Sequence, residues 1–295
     1  MEEKKLIIIA GPCSAESESQ ILETAIALAN TNSISYYRAG LWKPRTRPHT
    51  FEGVGAIGIP WLQKVKEITG IPVIVEVAQP QHLELVIQAG IDAIWIGART
   101  TTSPFAVQAL ADALKGCSDI PVFVKNPVNP DIQLWIGAIE RIQNAGVTHI
   151  YAIHRGFSGV EKGNFRNPPQ WQIAIEFKRL REDIPLLCDP SHICGNTNML
   201  ASVAQQALDL NMQGLMFEVH INPAAALSDA AQQITPAAFQ QLMKQLVVRK
   251  ENCSNYFFEY MLEEYRRQID KIDTELIQLL AQRMSFIAKI ANLKK

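Results

Sequence analysis

The sequence predicts an α/β protein, a (β/α)8 barrel of the TIM type followed by a long C-terminal helix. Three observations favour this fold class: eight short apolar segments, helix-compatible stretches between them, and a change of character after about residue 248. The 295 residues suit one such barrel with a tail. An open doubly wound sheet uses the same alternation, but eight units favour a closed barrel.

The predicted strands are rich in β-branched residues. Their starts lie about 21 to 38 residues apart, the scale of a βα unit. Most are continuous apolar runs rather than alternating ones, as expected of parallel strands that are buried on both faces. The predicted strands are Leu6–Ala10, Ile34–Ala39, Pro72–Val77, Ala93–Gly97, Val122–Lys125, His149–His154, Leu186–Asp189 and Leu215–Val219.

The stretches between the strands carry apolar residues at helical spacing. Gly70, Gly90 and Gly146 follow three of them as helix ends, and Thr235 before Pro236 is a helix cap followed by a first-turn proline. The predicted helices are Ser19–Ala29, Gly55–Thr69, Gln81–Ala89, Pro104–Leu114, Pro130–Asn144, Pro169–Arg181, Asn196–Leu210 and Pro236–Leu246.

Residues 1–248 are the predicted barrel domain, and residues 249–295 are a linker and a helix. From Tyr256 to the last residue there is neither Gly nor Pro. Such a helix would be about 60 Å long at 1.5 Å per residue, so we expect a second copy to cover its apolar seam in a homodimer or higher oligomer. The seam residues are Leu262, Tyr265, Ile269, Ile272, Leu276, Leu279, Phe286, Ile290 and Leu293.

Composition narrows the class of protein. Hydrophobic residues make up 47% and charged residues 19%, with a formal net charge of −1, so we expect neither a nucleic acid nor a membrane as partner. No signal peptide or membrane-spanning run is evident. Five scattered cysteines fit reduced thiols in the cytoplasm, which is the predicted location.

Ionisable side chains appear at the carboxyl ends of the predicted strands, where barrel enzymes build their active sites. Six cations converging there would repel one another unless anions neutralise them, so phosphate and carboxylate ligands are indicated. These cations are Arg38, Lys43, Arg45, Arg99, Lys125 and Arg155.

A second set at the same end joins a thiol, an imidazole and two carboxylates. It suits a divalent ion such as Mn²⁺, Fe²⁺, Co²⁺ or Zn²⁺ with a position open to substrate. His154 and His220 also lie at strand ends and are candidates for neighbours of this site. The four candidate ligands are Cys13, His192, Glu218 and Asp229.

At these residues the sequence resembles the 3-deoxy-D-arabino-heptulosonate 7-phosphate (DAHP) synthases, over roughly residues 6 to 246. The resemblance is to the short-barrel subgroup of type I. Each motif alone is weak, but the set in this order is highly specific. The motifs are Gly11-Pro12-Cys13-Ser14, Lys43-Pro44-Arg45-Thr46, Gly97-Ala98-Arg99-Thr100, Asp189-Pro190-Ser191-His192, Glu218-Val219-His220 and Leu227-Ser228-Asp229.

The resemblance implies the first step of the shikimate pathway of aromatic amino acid biosynthesis, in which phosphoenolpyruvate condenses with erythrose 4-phosphate. It implies that Lys43, Arg45 and Thr46 bind erythrose 4-phosphate, and that the four candidate ligands hold the metal. Phosphoenolpyruvate would be bound by Arg38, Arg99, Lys125 and Arg155. The catalytic candidates are Lys125, Glu76, His192 and Cys13, with Glu76 free either to orient water or to balance the cations.

The tail resembles the first helix of the all-helical chorismate mutases. The resemblance covers residues 262–295, and Arg266, Arg283 and Lys294 align with cations that bind the chorismate dianion. A mutase domain needs two further helices, so we expect mutase activity to be weak or absent and the tail to serve association and regulation.

Two other functions stay open at this point. The nearest alternative is 3-deoxy-manno-octulosonate 8-phosphate synthase, which takes arabinose 5-phosphate and carries a different segment where this chain has Lys43-Pro44-Arg45-Thr46. The other is a non-catalytic sugar-phosphate sensor on a barrel, against which the complete metal and cation set argues.

Overall fold

The computed structural model describes residues 6–44, 49–159, 163–249 and 256–294. The chain divides into two compact units, residues 1–248 and residues 249–295.

The first unit is a closed barrel of eight parallel strands that neighbour one another in chain order, so the predicted fold class is confirmed. The last strand closes on the first along five paired residues, from Ile7 opposite Gly214 to Gly11 opposite Glu218. The strands are β1 (Ile7–Gly11), β2 (Tyr36–Arg38), β3 (Val73–Val77), β4 (Ala93–Ile96), β5 (Val122–Lys125), β6 (Ile150–His154), β7 (Leu186–Cys188) and β8 (Gly214–Glu218).

Ten helices belong to the described part of this unit. They are α1 (Glu18–Ala29), α2 (Ile59–Thr69), α3 (Pro80–Gln88), α4 (Ala98–Thr101), α5 (Pro104–Ala113), α6 (Ile132–Asn144), α7 (Trp171–Leu180), α8 (Pro190–Cys194), α9 (Leu200–Asp209) and α10 (Pro236–Gln245).

Sequence reasoning missed α4 and α8 because each is a single turn, too short to show a helical period. The helix predicted from Asn196 to Leu210 corresponds to α9, which begins four residues later, at Leu200. The segment predicted as one helix from Gly55 opens with a 3₁₀ turn, Gly55–Gly58, before α2.

The apolar runs of the strands are continuous because both of their faces are buried. On β1, Ile9 packs with Ile74, Trp95 and Phe123 inside the barrel, while Ile8 belongs to the layer between strands and helices. The interior is therefore filled by side chains, and the chemistry has to lie above this filling, at the strand ends.

The second unit contains one helix, α11 (Tyr256–Leu293). Every predicted seam residue is exposed, with Ile269 at 55%, Leu276 at 52% and Phe286 at 60% of their full accessible surface. Among the described residues, no helix combines the length and the apolar character needed to cross a membrane.

Candidate active site

Three of the four candidate metal ligands meet above the barrel. The Cys13 Sγ and one oxygen each of Glu218 and Asp229 all lie within 4.8 Å of one another. Cys13 follows β1 and Glu218 ends β8, so the pairing of these two strands places them side by side. Asp229 comes from the loop after β8 and has a left-handed backbone, with φ of 48°.

The electrostatics of this cluster favour a cation. Burial, with the carboxylate of Glu218 next in effect, raises the pKa of the Cys13 thiol to about 12. Burial also opposes ionisation of Asp229, but Arg166 and His192 outweigh it and lower the pKa of this carboxyl to about 2. Burial is likewise outweighed at Glu218, where His192 and Arg38 hold the pKa below its ordinary value.

His192, the fourth candidate, lies beside the cluster on α8. Its Nε2 is 3.7 Å from the Glu218 Oε1, and its Nδ1 is 2.8 Å from the Asp189 Oδ2. Asp189 also caps α8 by accepting a hydrogen bond of 3.1 Å from the His192 backbone N–H. One buried carboxylate thus fixes both the turn and the imidazole on it. Burial, and after it the charge of Lys125, lowers the pKa of His192.

Lys125 ends β5 and is buried against Asp189. Its Nζ donates a hydrogen bond of 2.7 Å to the Asp189 Oδ2 and lies 5.8 Å from the centre of the Trp95 ring. Burial lowers the pKa of this ammonium group, with Asp189 opposing the shift and Arg38 adding to it. Asp189 favours the charged form of Lys125, and the two side chains form a buried ion pair next to His192, a metal-ligand candidate.

Arg38 ends β2 and forms a buried ion pair with Glu218 of the cluster. Its Nη2 donates to the Glu218 Oε1 at 3.1 Å, and its guanidinium carbon is 5.0 Å from the Trp95 ring centre. Its Nε and Nη1 are buried without a hydrogen-bond partner, so they are donors available to an anion. The Glu76 carboxylate packs against Gly97, where a Cβ would come within 2.0 Å of it, so the glycine makes room for the acid.

Three of the remaining predicted cations, Lys43, Arg99 and Arg155, belong to the described residues and act electrostatically on this region. Arg155 is fixed by Asn126, whose Oδ1 accepts from the Arg155 backbone N–H at 2.7 Å. Burial lowers the pKa of Arg155 to about 10, and the neighbouring Arg166 and Arg99 contribute. Lys43 is half-buried after β2. The predicted residues Arg45 and Thr46 lie outside the described residues.

Several residues of the site were missed by sequence reasoning. Gln233 accepts from the Cys13 backbone N–H at 3.0 Å, and Gln232 donates to the Glu218 Oε2 at 2.6 Å. Arg166 lies 3.1 Å from the Asp229 Oδ1. These three sit in loops, where no periodicity marks them. Asp189, by contrast, lies between β7 and α8 and belongs to the Asp189-Pro190-Ser191-His192 motif, but sequence reasoning assigned it no role of its own.

The two histidines predicted as neighbours differ in their surroundings. His154 is fully buried among the rings of Trp135, Phe157 and Trp171, and burial, aided by Arg155, lowers its pKa to about 3. His220 accepts from the Asn222 backbone N–H at 2.9 Å through Nδ1. His154 is therefore a neutral packing residue at ordinary pH.

Comparison with known families gives two matches along the chain. Residues 2–253 match the family model described as the DAHP synthetase I family. Residues 265–295 match the model described as chorismate mutase type II. The two matches agree with the two resemblances inferred from the motifs.

Individual relatives point the same way. A phospho-2-dehydro-3-deoxyheptonate aldolase of Thermotoga maritima is 32% identical over 239 residues, which cover 81% of this chain and 68% of the relative. A 2-dehydro-3-deoxyphosphooctonate aldolase of Wolinella succinogenes is 24% identical over 83% of this chain and all of the relative. The crystal structure of a DAHP synthase from T. maritima superposes with a TM-score of 0.71 at 28% identity, covering 81% of this chain and 67% of the other. A truncated form of the T. maritima enzyme gives a TM-score of 0.69 at 27% identity, covering 81% of this chain and 84% of that one.

Proposed function

Because the chain belongs to the DAHP synthetase I family, we propose that the residues at the carboxyl ends of its barrel strands carry out the reaction of that family. The barrel is a 3-deoxy-7-phosphoheptulonate synthase, an aldol-type transferase that condenses phosphoenolpyruvate with erythrose 4-phosphate. In this reaction the enol carbon of phosphoenolpyruvate attacks the aldehyde carbon, water adds to C2, and inorganic phosphate leaves.

In this proposal Cys13, His192, Glu218 and Asp229 hold a divalent ion. The donor set fits, since a thiol with a pKa of about 12 beside two ionised carboxylates becomes a thiolate only when a cation replaces its proton. A mixed sulfur, nitrogen and oxygen set suits Mn²⁺, Fe²⁺, Co²⁺ or Zn²⁺. A bound ion of this kind supplies a Lewis acid that polarises the aldehyde.

The cations then bind the two anionic substrates. Arg38, which has two buried donors without a partner, and Lys125, which lies over the same Trp95 ring, are proposed to hold phosphoenolpyruvate together with Arg99 and Arg155. Lys43, Arg45 and Thr46 are proposed to bind erythrose 4-phosphate. Holding both anions in reacting geometry is worth up to about 7–11 kcal/mol of the barrier. Glu76, which acts electrostatically on Arg38 and Lys125, is proposed either to orient the attacking water or to balance these cations.

The observation that carries this proposal is the meeting of Cys13, Glu218 and Asp229 beside two buried cations at the strand ends. The test is phosphate release from phosphoenolpyruvate with Mn²⁺, using erythrose 4-phosphate in one arm and arabinose 5-phosphate in the other. We expect the four-carbon sugar to react at least tenfold faster. Faster reaction with arabinose 5-phosphate would favour the octulosonate synthase, and no release with either sugar would favour a sensor.

For the second unit we propose association through the seam of α11. A helix with an exposed apolar stripe needs a partner to bury it, and a second copy of the same helix is self-complementary. Arg266 and Arg283 on this helix, and Lys294 directly after it, are exposed, and we propose them as the mutase-like anion contacts. A cytoplasmic location and the absence of nucleic acid and membrane partners stay predictions.

A further inference from the structure

A two-residue segment before α7 is tied to the turn that carries His192. The backbone N–H groups of Arg166 and Asn167 donate to the carbonyls of Cys194 and Ile193 at 3.2 and 3.1 Å. The Asn167 side-chain amide donates to the His192 carbonyl at 2.6 Å. The position of Arg166 is therefore fixed relative to the candidate metal ligands, although its side chain is partly exposed.

The Arg166 side chain begins a chain of hydrogen bonds that crosses the site. Its Nη1 donates to the Gln232 Oε1 at 2.7 Å and lies 3.1 Å from the Asp229 Oδ1. The Gln232 Nε2 then donates to the Glu218 Oε2 at 2.6 Å. Because the guanidinium can only donate, the amide carbonyl must face Arg166 and the amide nitrogen must face Glu218.

These bonds occupy Oδ1 of Asp229 and Oε2 of Glu218, while Oε1 of Glu218 accepts from Arg38 at 3.1 Å. The Asp229 Oδ2 lies 3.6 Å from the Cys13 Sγ, and the Glu218 Oε1 lies 3.7 Å from the His192 Nε2. We propose that Arg166 is a positioning residue for the metal site, which it arranges by orienting Asp229 directly and Glu218 through Gln232. This inference rests on the proposed metal site.

Two interpretations of Arg166 predict opposite effects of its removal on metal affinity. As a mere nearby positive charge, Arg166 repels a metal ion, so its removal should tighten metal binding. As an orienting donor, it presets two ligands, so its removal should weaken binding. The buried amide of Gln232, which is 1% exposed, favours the second interpretation, because an ordinary surface ion pair engages no buried partner.

The experiment compares the Mn²⁺ affinity of the unaltered full chain with that of its variants. Electron paramagnetic resonance measures it from the signal of free Mn²⁺. Loss of a partner that orients ligands typically lowers metal affinity by about 10- to 100-fold, and we expect this for Arg166→Gln. Arg166→Lys keeps a charged donor and should recover most of the affinity. Arg179→Gln is the matched control, since Arg179 pairs only with Glu176 on the exposed face of α7 among the contacts described.

Unchanged or tighter Mn²⁺ binding by Arg166→Gln would overturn the inference while leaving the metal site standing. No binding by the unaltered chain, or full binding by Cys13→Ser, would overturn both.

A double variant tests the path through Gln232. If Arg166 acts on Glu218 by orienting Gln232, then Arg166→Gln and Gln232→Leu together should lose less affinity than the product of their separate losses. The absorption spectrum of bound Co²⁺ should change in both single variants, because it reports ligand arrangement. Independent, multiplicative losses with an unaltered Co²⁺ spectrum would overturn this path.

Discussion

The barrel buries charged side chains at its strand ends, whereas α11 exposes apolar side chains along its length. Arg38 and Glu218 are 1% and 0% exposed, while Ile269 and Leu276 are 55% and 52% exposed. A buried charge is stable only beside a partner, and in the barrel each partner comes from another strand end of the same unit. An exposed apolar stripe instead needs a surface from elsewhere. The barrel therefore pairs its buried charges within one unit, whereas the apolar stripe of α11 is exposed, and we propose that a second copy covers it.

The largest loss of activity should follow from replacing Lys125, the buried cation at the end of β5. In Lys125→Met, Asp189 loses its 2.7 Å partner and the substrate loses a cation. Breaking a buried pair costs about 3–5 kcal/mol of stability. Removing one preorganised active-site group typically lowers the rate about a hundred- to thousandfold, so kcat/KM should fall by roughly that factor. Lys115→Met is the control, because Lys115 forms an exposed pair with Asp112. Thermal unfolding of both variants shows whether a loss of activity reflects a loss of fold. A folded Lys125→Met with the kcat/KM of the unaltered chain would contradict a role of Lys125 in the reaction.

A smaller effect is expected on the KM for erythrose 4-phosphate, and it tests which cations bind which substrate. Arg45→Ala should raise the KM for erythrose 4-phosphate by about ten- to hundredfold, since a charge-assisted contact is worth about 1.5–3 kcal/mol. The KM for phosphoenolpyruvate should change little. Steady-state kinetics with each substrate varied in turn measures both, and equal rises would show that the division is wrong.

A smaller effect on stability should come from His154. Its folded pKa of about 3 lies below the ordinary 6.5, so between these values only the unfolded chain binds the proton. The contribution of His154 to the free energy of unfolding is therefore constant above pH 6.5, and below it the free energy of unfolding falls by about 1.4 kcal/mol per pH unit. From pH 7 to 5 the chain should lose about 2 kcal/mol that His154→Phe does not lose. Urea unfolding at the two pH values measures this, and parallel losses in the two chains would refute it.

The smallest effect on the barrel reaction should follow from cutting off the tail. A chain ending at Val248 should keep a kcat close to that of the full chain but sediment as a smaller species. Within the full chain, Leu276→Glu on the seam should weaken association, while Gln278→Glu beside it should not, because only the first buries a charge in the stripe. An unchanged sedimentation coefficient after truncation would remove the association role.

The barrel and the positions of the strand-end residues could be predicted from the sequence, because apolar strand segments and helical segments alternate regularly along the chain. Lys125 and Glu218 were found because they close apolar runs, and a barrel gathers the ends of all such runs. The one-turn helices α4 and α8 were not predicted, since four or five residues carry no period and their caps depend on tertiary contacts.

The outer contacts of the site escaped sequence reasoning for a related reason. Gln232 and Arg166 lie in loops more than sixty residues apart, and nothing local marks either one. Their contact exists only once β6 and β8 have brought their loops to the same end of the barrel. The pairing of Asp189 with Lys125 depends on the same closure.

We propose that the strand-end cluster joins the two substrates only with a divalent ion held by Cys13, His192, Glu218 and Asp229. The most direct measurement is phosphate release from phosphoenolpyruvate and erythrose 4-phosphate after dialysis of the full chain against a chelator, with and without added Mn²⁺. Phosphate release should stop in the dialysed protein and return with Mn²⁺. Cys13→Ser should need far more Mn²⁺, because a hydroxyl replaces a thiolate poorly. Full phosphate release by a sample verified to contain no metal would contradict the proposal.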